Sequence, residues 1–341
     1  MLDRVSQAYK CSIENYQEIH KSKHWQGEYG SRNVDHSIES LFNFRNNSLV
    51  DGMNRSIDTL DCDYIKSNFS KLIKECTYDF VYDNLDQLNV GNNKNFIKHR
   101  GRFVSVGDNF HIKFLYDLND NVFKAENEIK VVCEIGGGYG NLSKLVRKKY
   151  GTTMILIDLP EANLMSSYYL YKNFPNANFF FEQEGHKEVN LQTIIENDFI
   201  IITPWTTISS EVKIDLFINT RSMMEMNFSV IQDYFLFIQK HINDKGFFYN
   251  VNKYYKDSVG HPIELDKYPY DNNWSVIASY PSWMQESKIH MLLTRRGYSN
   301  HKHSLKIEMK RIWLKKMVYL LKRKIDGTPI LSKLYIRLTN V

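Results

Sequence analysis

The stretch VVCEIGGGYGNLSKL, residues 131–145, determines the fold of this 341-residue chain. Four of its first five residues are apolar, which predicts a buried strand, and the glycines after them indicate a sharp turn into a helix. A second apolar segment, 153–157, follows that helix, and strands and helices then alternate to about residue 294. We therefore predict an α/β fold with a Rossmann-like sheet that is mostly parallel and is closed by an antiparallel strand.

The glycine turn carries the pattern E-x-G-x-G-x-G through Glu134, Gly136, Gly138 and Gly140. Glycines let the chain bend sharply and let a ligand approach the main chain closely. The dinucleotide fingerprint G-x-G-x-x-G would need a third glycine at position 141, which is Asn141 here. An acid two residues before the first glycine suits a cationic ligand, because it can attract the methionyl ammonium of S-adenosylmethionine, whereas it would repel a pyrophosphate. The pattern therefore predicts S-adenosylmethionine as the cofactor.

A second acidic residue, Asp158, follows the apolar segment 153–157, about 20 residues after the glycines. In Rossmann-like domains an acid at this place accepts hydrogen bonds from the ribose hydroxyls of the nucleoside. We therefore expect Asp158 and the adjacent Leu159 to bind the cofactor. The alternative is that Asp158 caps the helix predicted to begin at Pro160, and the two roles are compatible.

The segment IDLFINTRSMMEM, residues 214–226, has the pattern of a strand that delivers polar side chains at its carboxyl end. Ligands bind beyond this end of the strands in open α/β sheets. Asn219 is therefore predicted to contact the cofactor, and Arg221 and Ser222 are predicted to contact the molecule that accepts the methyl group. The alternative for Ser222 is a capping box with Glu225 on the following helix.

Several segments resemble the bacterial sugar O-methyltransferase family. They are EIGGGYG (134–140), LIDLPE (156–161), YYLYKNFP (168–175), ITPW (202–205), IDLFINTRSMMEM (214–226) and YPYDNNW (268–274), and LFNFRNNSLVDGMN (41–54) extends the similarity toward the N-terminus. The resemblance implies methylation of a sugar hydroxyl in a surface glycan or in its nucleotide- or lipid-linked precursor. The alternatives are a methyltransferase with a lipid or small natural product as acceptor and, less favoured, an NAD-dependent dehydrogenase.

Methylation of a sugar hydroxyl requires alignment of the reacting atoms and a base that removes the hydroxyl proton. Glu225 is the first candidate for this base because it lies just past the predicted strand end, and His111 and His261 are alternatives that could equally be structural. In the aromatic segment, Asp271 is expected to bind sugar hydroxyls. Tyr268, Tyr270 or Trp274 would stack on the sugar ring. No cluster of carboxylates and histidines indicates a metal ion.

The chain divides into three regions of different composition. We predict a mainly helical region at 1–128 that caps the substrate, the methyltransferase domain at 129–298, and a basic tail at 299–341. Residues 301–341 contain 11 Lys and Arg against two acids, so their net charge is +9 and that of residues 1–300 is −4. The acidic body argues against a nucleic-acid partner.

In the tail, apolar residues recur every three or four positions among Lys and Arg, which predicts a basic amphipathic helix over residues 304–325. Such a helix suits an anionic membrane surface, and the alternatives are packing on its own domain or on a second subunit of a homo-oligomer. The four cysteines form no CxxC pair, and neither a signal peptide nor an apolar run of about 20 residues is recognisable. We therefore expect a cytoplasmic protein, with peripheral contact to the inner face of the cytoplasmic membrane as the alternative location.

Overall fold

The computed structural model describes residues 2–15, 20, 38–46, 62–126, 128–182, 188–257, 259–283, 285–297 and 304–326. Its centre is an eight-stranded sheet. In chain order the strands of this sheet are β1 Val131–Ile135, β2 Thr153–Ile157, β3 Phe179–Phe181, β4 Phe199–Ile202, β5 Ile214–Thr220, β6 Ile242–Lys253, β7 Trp274–Pro281 and β8 Ile289–Arg296.

The described helices follow the same order. They are α1 Leu2–Glu14, α2 Ile38–Phe42, α3 Cys62–Cys76, α4 Tyr78–Asp83, α5 Val106–Leu118, α6 Asn141–Tyr150, α7 Pro160–Asn173, α8 Leu191–Glu196, α9 Phe228–His241 and α10 Leu305–Asp326. Among the described residues, none of the helices combines the length and apolarity that crossing a bilayer demands.

The strand order across the sheet is β7-β8-β6-β5-β1-β2-β4-β3. The neighbours from β6 to β3 pair in parallel, and β8 runs antiparallel to both β6 and β7. Strands β1 and β2 are joined through α6, and β5 and β6 through α9, as expected for parallel neighbours. The predicted fold class, a mostly parallel Rossmann-like sheet with an antiparallel closure, is confirmed.

Both faces of the sheet are covered, because neighbouring residues of each strand point to opposite sides. Val132 and Leu216 pack in a cluster that includes residues of α1, α3, α5, α6 and α7. Cys133 and Phe217, one residue further along each strand, pack in a second cluster with α9 and with Ile312 of α10. The carboxyl ends of β1, β2 and β5 therefore meet at one edge, held from both sides.

The described part of residues 1–128 is mainly helical, as predicted, and shares the first hydrophobic cluster with the sheet. Arg4 of α1 donates a hydrogen bond from Nη2 to the carbonyl of Phe179 in β3, 2.9 Å away. Residues 47–54, the second half of the segment 41–54 that extends the family resemblance, lie outside the described residues. Whether this region caps a substrate stays a prediction.

Candidate active site

The glycine loop, residues 136–140, lies at the carboxyl edge of the sheet between β1 and α6. Gly136, Gly138 and Gly140 have φ angles of +71°, +58° and +83°, which residues with a side chain rarely adopt. The amide of Gly136 donates to the carbonyl of Ile157 at the end of β2, 2.8 Å away. A Cβ on Gly136 would lie 2.0 Å from Ser222 Oγ. Glycine is therefore required where the loop touches the end of β5.

Asp158 joins this loop to the end of β2. Its Oδ2 accepts a hydrogen bond from the amide of Gly138 at 2.8 Å, and its Oδ1 accepts one from the amide of Leu159 at 2.7 Å. The side chain is half-buried, and carboxylate oxygens have lone pairs for further donors. The structure thus brings Asp158, Leu159 and the glycine loop together. The N-cap of α7 is Leu159, so the alternative of Asp158 as a helix cap is not realised.

Glu134 lies beneath the glycine loop. Its side chain is buried, with 1% of the residue exposed, and Oε2 accepts hydrogen bonds from the Ser143 amide at 3.1 Å and hydroxyl at 2.5 Å. A Cβ on Gly137 would lie 2.9 Å from the carboxyl carbon of Glu134. Glu134 can therefore act on a ligand through its charge, but it has almost no surface for a direct contact.

Acidic groups dominate the electrostatics of this loop. Burial raises the pKa of Glu134 to about 7 and that of Asp158 to about 7. The charges of Glu161 and Glu225 also raise the pKa of Asp158. A positively charged ligand at the loop would offset this repulsion between carboxylates.

Asn219, at the end of β5, belongs to a buried amide network. Its Nδ2 donates to the carbonyl of Ile135 at 2.8 Å and to Ser222 Oγ at 2.6 Å. Its Oδ1 accepts from the amide of Met223 at 3.2 Å and from Asn252 Nδ2 at 2.7 Å. The residue is fully buried and its amide group is saturated by protein partners. The side chain of Asn219 therefore holds the glycine loop against β5, and contact of Asn219 with the cofactor stays a prediction.

Ser222 lies between the amide network and the loop. Its hydroxyl donates to the carbonyl of Ile135, 3.1 Å away, and the residue is half-buried. The short helical turn Met223–Glu225 that follows receives no side-chain cap from Ser222. The predicted alternative of a capping box is therefore not formed, and Ser222 supports the loop through its contact with Gly136.

Arg221 brings a cation to the same edge. Its backbone is left-handed, with φ +64°, and its amide donates to the carbonyl of Val251 at 2.7 Å. The guanidinium lies 5.0 Å from the centre of the Phe110 ring in α5. Burial lowers the Arg221 pKa, and its buried Nη1 finds no hydrogen-bond partner in the part of the chain that the structure describes. Such a group favours a ligand that accepts hydrogen bonds.

Glu225 ends the short helical turn that follows β5, and it forms an ion pair that the sequence did not indicate. Its Oε1 accepts a hydrogen bond from Lys256 Nζ at 2.7 Å, and 22% of the Glu225 side chain is exposed. The negative charge of Glu225 also acts on Asp158 and Arg221. Glu225 therefore lies between the cofactor side and the Arg221 side of this edge.

His111, on α5, lies beside the glycine loop. Its Nδ1 is 2.9 Å from Nδ2 of Asn141, the first residue of α6, so we assign Nδ1 as the acceptor and place the proton on Nε2. Burial lowers its pKa to about 3, with further lowering by Lys144, Arg45 and Arg221. His111 is therefore a neutral imidazole at physiological pH.

His261, the third candidate base, is exposed and accepts a hydrogen bond at Nε2 from the amide of Phe228 at the start of α9, 3.3 Å away. This contact satisfies a helix-terminal amide and supports the structural alternative for His261. Within the described residues, no group of three or more His, Cys, Asp or Glu side chains is arranged to hold a metal ion.

The aromatic segment lies at the edge of the sheet opposite the glycine loop. Trp274 begins β7, and the pairing of β7 with the antiparallel β8 makes β7 parallel to β6. The start of β7 is therefore at the amino edge, opposite the glycine loop. Asp271, beside it, binds Arg296 at 2.5 Å. Sugar binding by Asp271 and Trp274 stays a prediction that this placement does not favour.

Tyr270 has a structural role as well. Its ring packs against Phe235 and Phe248, and its hydroxyl accepts a hydrogen bond from Asn250 Nδ2 at 3.2 Å. Asn250 is fully buried and joins the amide network through Asn252. Tyr270 therefore extends that network through its hydrogen bond with Asn250. Its position does not support the predicted stacking on a sugar.

Comparisons with known proteins identify distant structural similarity alone. No family model and no curated protein matches the sequence. An O-methyltransferase family 2 protein from Planctomyces limnophilus aligns at 12% identity and a TM-score of 0.36, over 56% of this chain and 57% of that one. The SAM-bound amino pentose methyltransferase CalS10 from Micromonospora echinaspora aligns at 8% identity and a TM-score of 0.36, over 54% and 90%. The mitomycin 7-O-methyltransferase MmcR aligns over 57% of its own length, at 11% identity and a TM-score of 0.35. Similarity at this level assigns neither a reaction nor an acceptor.

Proposed function

We propose that this chain is an S-adenosylmethionine-dependent O-methyltransferase that acts on a sugar hydroxyl in a surface glycan or its precursor. The observation that carries the proposal is the contact of Asp158 with Gly138 in a glycine loop at the carboxyl edge of a Rossmann-like sheet. The sugar acceptor rests on the sequence resemblance in segments 134–140 and 214–226.

The residues of the loop fit this donor. The glycines leave the main chain of the turn without side chains, Asp158 can accept hydrogen bonds from ribose hydroxyls, and Glu134 adds negative charge below. Bound S-adenosylmethionine would supply a methyl group that its positive sulfonium makes electrophilic. The chain must then orient the acceptor hydroxyl, exclude water and take up the hydroxyl proton.

Glu225 is the base we favour. His111 is the weaker candidate because its pKa is lowered to about 3 and its Nδ1 is already bonded to Asn141. The Nε2–H of His111 would instead donate to an oxygen of the acceptor. Lys256 holds the Glu225 carboxylate at 2.7 Å and fixes its position at the end of β5.

The donor assignment is tested by calorimetry with S-adenosylmethionine and, separately, with NAD. We expect binding of S-adenosylmethionine alone, since the loop lacks the third glycine of the dinucleotide fingerprint. Binding of NAD alone would establish a dehydrogenase and end the proposal.

The acceptor is tested by mass spectrometry of surface glycans from cells with and without the gene. Loss of one methyl increment from a sugar in the deletion strain is the expected result. If the glycans are unchanged although the protein binds S-adenosylmethionine, the acceptor is a different molecule.

Arg221 favours a second candidate acceptor, a non-sugar molecule with an anionic group. Its buried Nη1 has no partner among the described residues, and a carboxylate or phosphate would pair with it. An anionic lipid or a small acidic natural product would satisfy this contact, as would a sugar that carries a phosphate or a carboxylate.

A further inference from the structure

An unusual apolar surface lies on α10. Ile307, Leu314, Val318 and Leu321 are 54%, 56%, 57% and 59% exposed. Their spacings of seven, four and three residues place them on one face of the helix, which we call the outer stripe. Exposed apolar side chains are ordinary when they are scattered, but a contiguous row of this kind marks an interaction site.

The opposite face of α10 is fixed on the sheet domain. Ile312 is fully buried, and Lys316 donates to the carboxylates of Glu264 and Asp266. Glu308 accepts a hydrogen bond from the Ser279 hydroxyl of β7 at 2.7 Å. These contacts orient the helix, so that the outer stripe points away from the domain.

Basic side chains flank the outer stripe on both sides. At 100° per residue, one flank contains Lys306, Lys310 and Lys324, and the other contains Arg311, Lys315 and Lys322. The acid Glu308 is on the docked side. The described face thus combines an apolar centre with positive edges, the pattern of a helix that lies in the plane of an anionic bilayer.

We propose that α10 binds the surface of a membrane that contains anionic lipids. The outer stripe enters the boundary between headgroups and acyl chains, while the basic flanks contact the headgroups. A second copy of this chain is a poorer occupant, because two facing stripes would bring basic flanks together. Charge complementarity therefore favours lipid.

The orientation of α10 relates the membrane to the candidate active site. Arg323, near its C-terminal end, binds Asp257 at 2.9 Å, and the neighbouring Lys256 holds Glu225. A bilayer under α10 would lie near the edge that holds the candidate base. This arrangement suits a lipid-linked acceptor. The statement about the acceptor rests on the proposed function, whereas the membrane contact is independent of it.

The test is flotation of the full chain with phosphatidylcholine vesicles that contain or lack phosphatidylglycerol. We expect binding to the anionic vesicles, weakened at least about tenfold by the double substitution Leu314→Glu and Leu321→Glu. The matched control is Leu236→Glu on α9, where the leucine is 67% exposed, and this variant should bind as the native chain does. Each flanking basic residue changed to Gln should cost about fivefold.

Three results would overturn the proposal. The first is equal binding to neutral and anionic vesicles, and the second is equal binding by the double variant and the native chain. The third is a dimer in sedimentation velocity that the double variant dissociates, which would assign the outer stripe to a second copy. Calorimetry with S-adenosylhomocysteine, run on the same variants, should give unchanged affinity. If the native chain does not bind S-adenosylhomocysteine, the proposed function is contradicted, while the membrane result is unaffected.

Discussion

At the scale of single residues, the close packing of Gly136 against Ser222 is the sharpest feature of the site. Gly136→Ala places a Cβ 2.0 Å from Ser222 Oγ and must displace the loop, in addition to about 1–2 kcal/mol for a left-handed alanine. We expect S-adenosylmethionine affinity to fall at least about tenfold in calorimetry. The control is Gly151→Ala, which has φ +69° but no atom within 4 Å of the added Cβ. Equal affinities of the two variants for S-adenosylmethionine would show that the glycine loop is not part of the donor site.

Asp158→Asn tests the second half of the same contact. The amide can no longer accept at both positions from Gly138 and Leu159, and it removes the charge that attracts a cation. We expect loss of S-adenosylmethionine binding with a folded chain by circular dichroism. Affinity within twofold of the native value would refute the ribose role of Asp158.

Glu134 predicts a pH dependence of stability. Its pKa is raised by burial to about 7, so the folded chain holds a proton that the unfolded chain releases near pH 4.5. The stabilising contribution of this group is complete below about pH 4.5 and is lost as the pH rises to about 7. The melting temperature of Glu134→Gln should therefore rise relative to that of the native chain as the pH is raised from about 4.5 to about 7. A constant difference across that range would contradict the shifted pKa.

At the scale of elements, Lys316 decides whether α10 stays on the sheet domain. Lys316→Met removes this cation from Asp266 and Glu264, of which, among the described residues, only Glu264 keeps a second lysine partner, Lys267, and so weakens the contact between α10 and the domain. We expect α10 to become sensitive to proteases while the rest of the domain resists. Lys315→Met, an exposed neighbour, is the control. Equal digestion of both variants would mean that Ile312 alone suffices for docking.

The elements are also where the sequence was most informative. The start of α7 at Pro160 and the glycine loop before α6 follow from local chemistry, which a single stretch of chain contains. The position of Trp274 could not be predicted in this way, because the edge at which β7 begins depends on its pairing with β8. The amide network of Asn219 and the partners Lys256 and Asn141 join residues distant in sequence, and no local pattern marks them.

At the scale of the whole molecule, ligand binding should raise global stability. A ligand at 100 times its Kd adds about 2.7 kcal/mol to the free energy of unfolding when it binds only the folded state. We expect S-adenosylhomocysteine to raise the melting temperature in a thermal scan, and NAD to leave it unchanged. No shift with saturating S-adenosylhomocysteine would contradict the donor site.

The two carboxyl groups at the glycine loop, with pKa values near neutrality, link ligand exchange to protons. When a cation arrives beside Glu134 and Asp158, the charged form of each carboxylate gains stability and its proton leaves for solvent. The heat of association would then vary with the ionisation enthalpy of the buffer, as phosphate and Tris solutions would reveal. The product nucleoside has lost its sulfonium charge, so its departure would let the two carboxylates take up protons again. Each turnover would then release and rebind protons at this edge of the sheet.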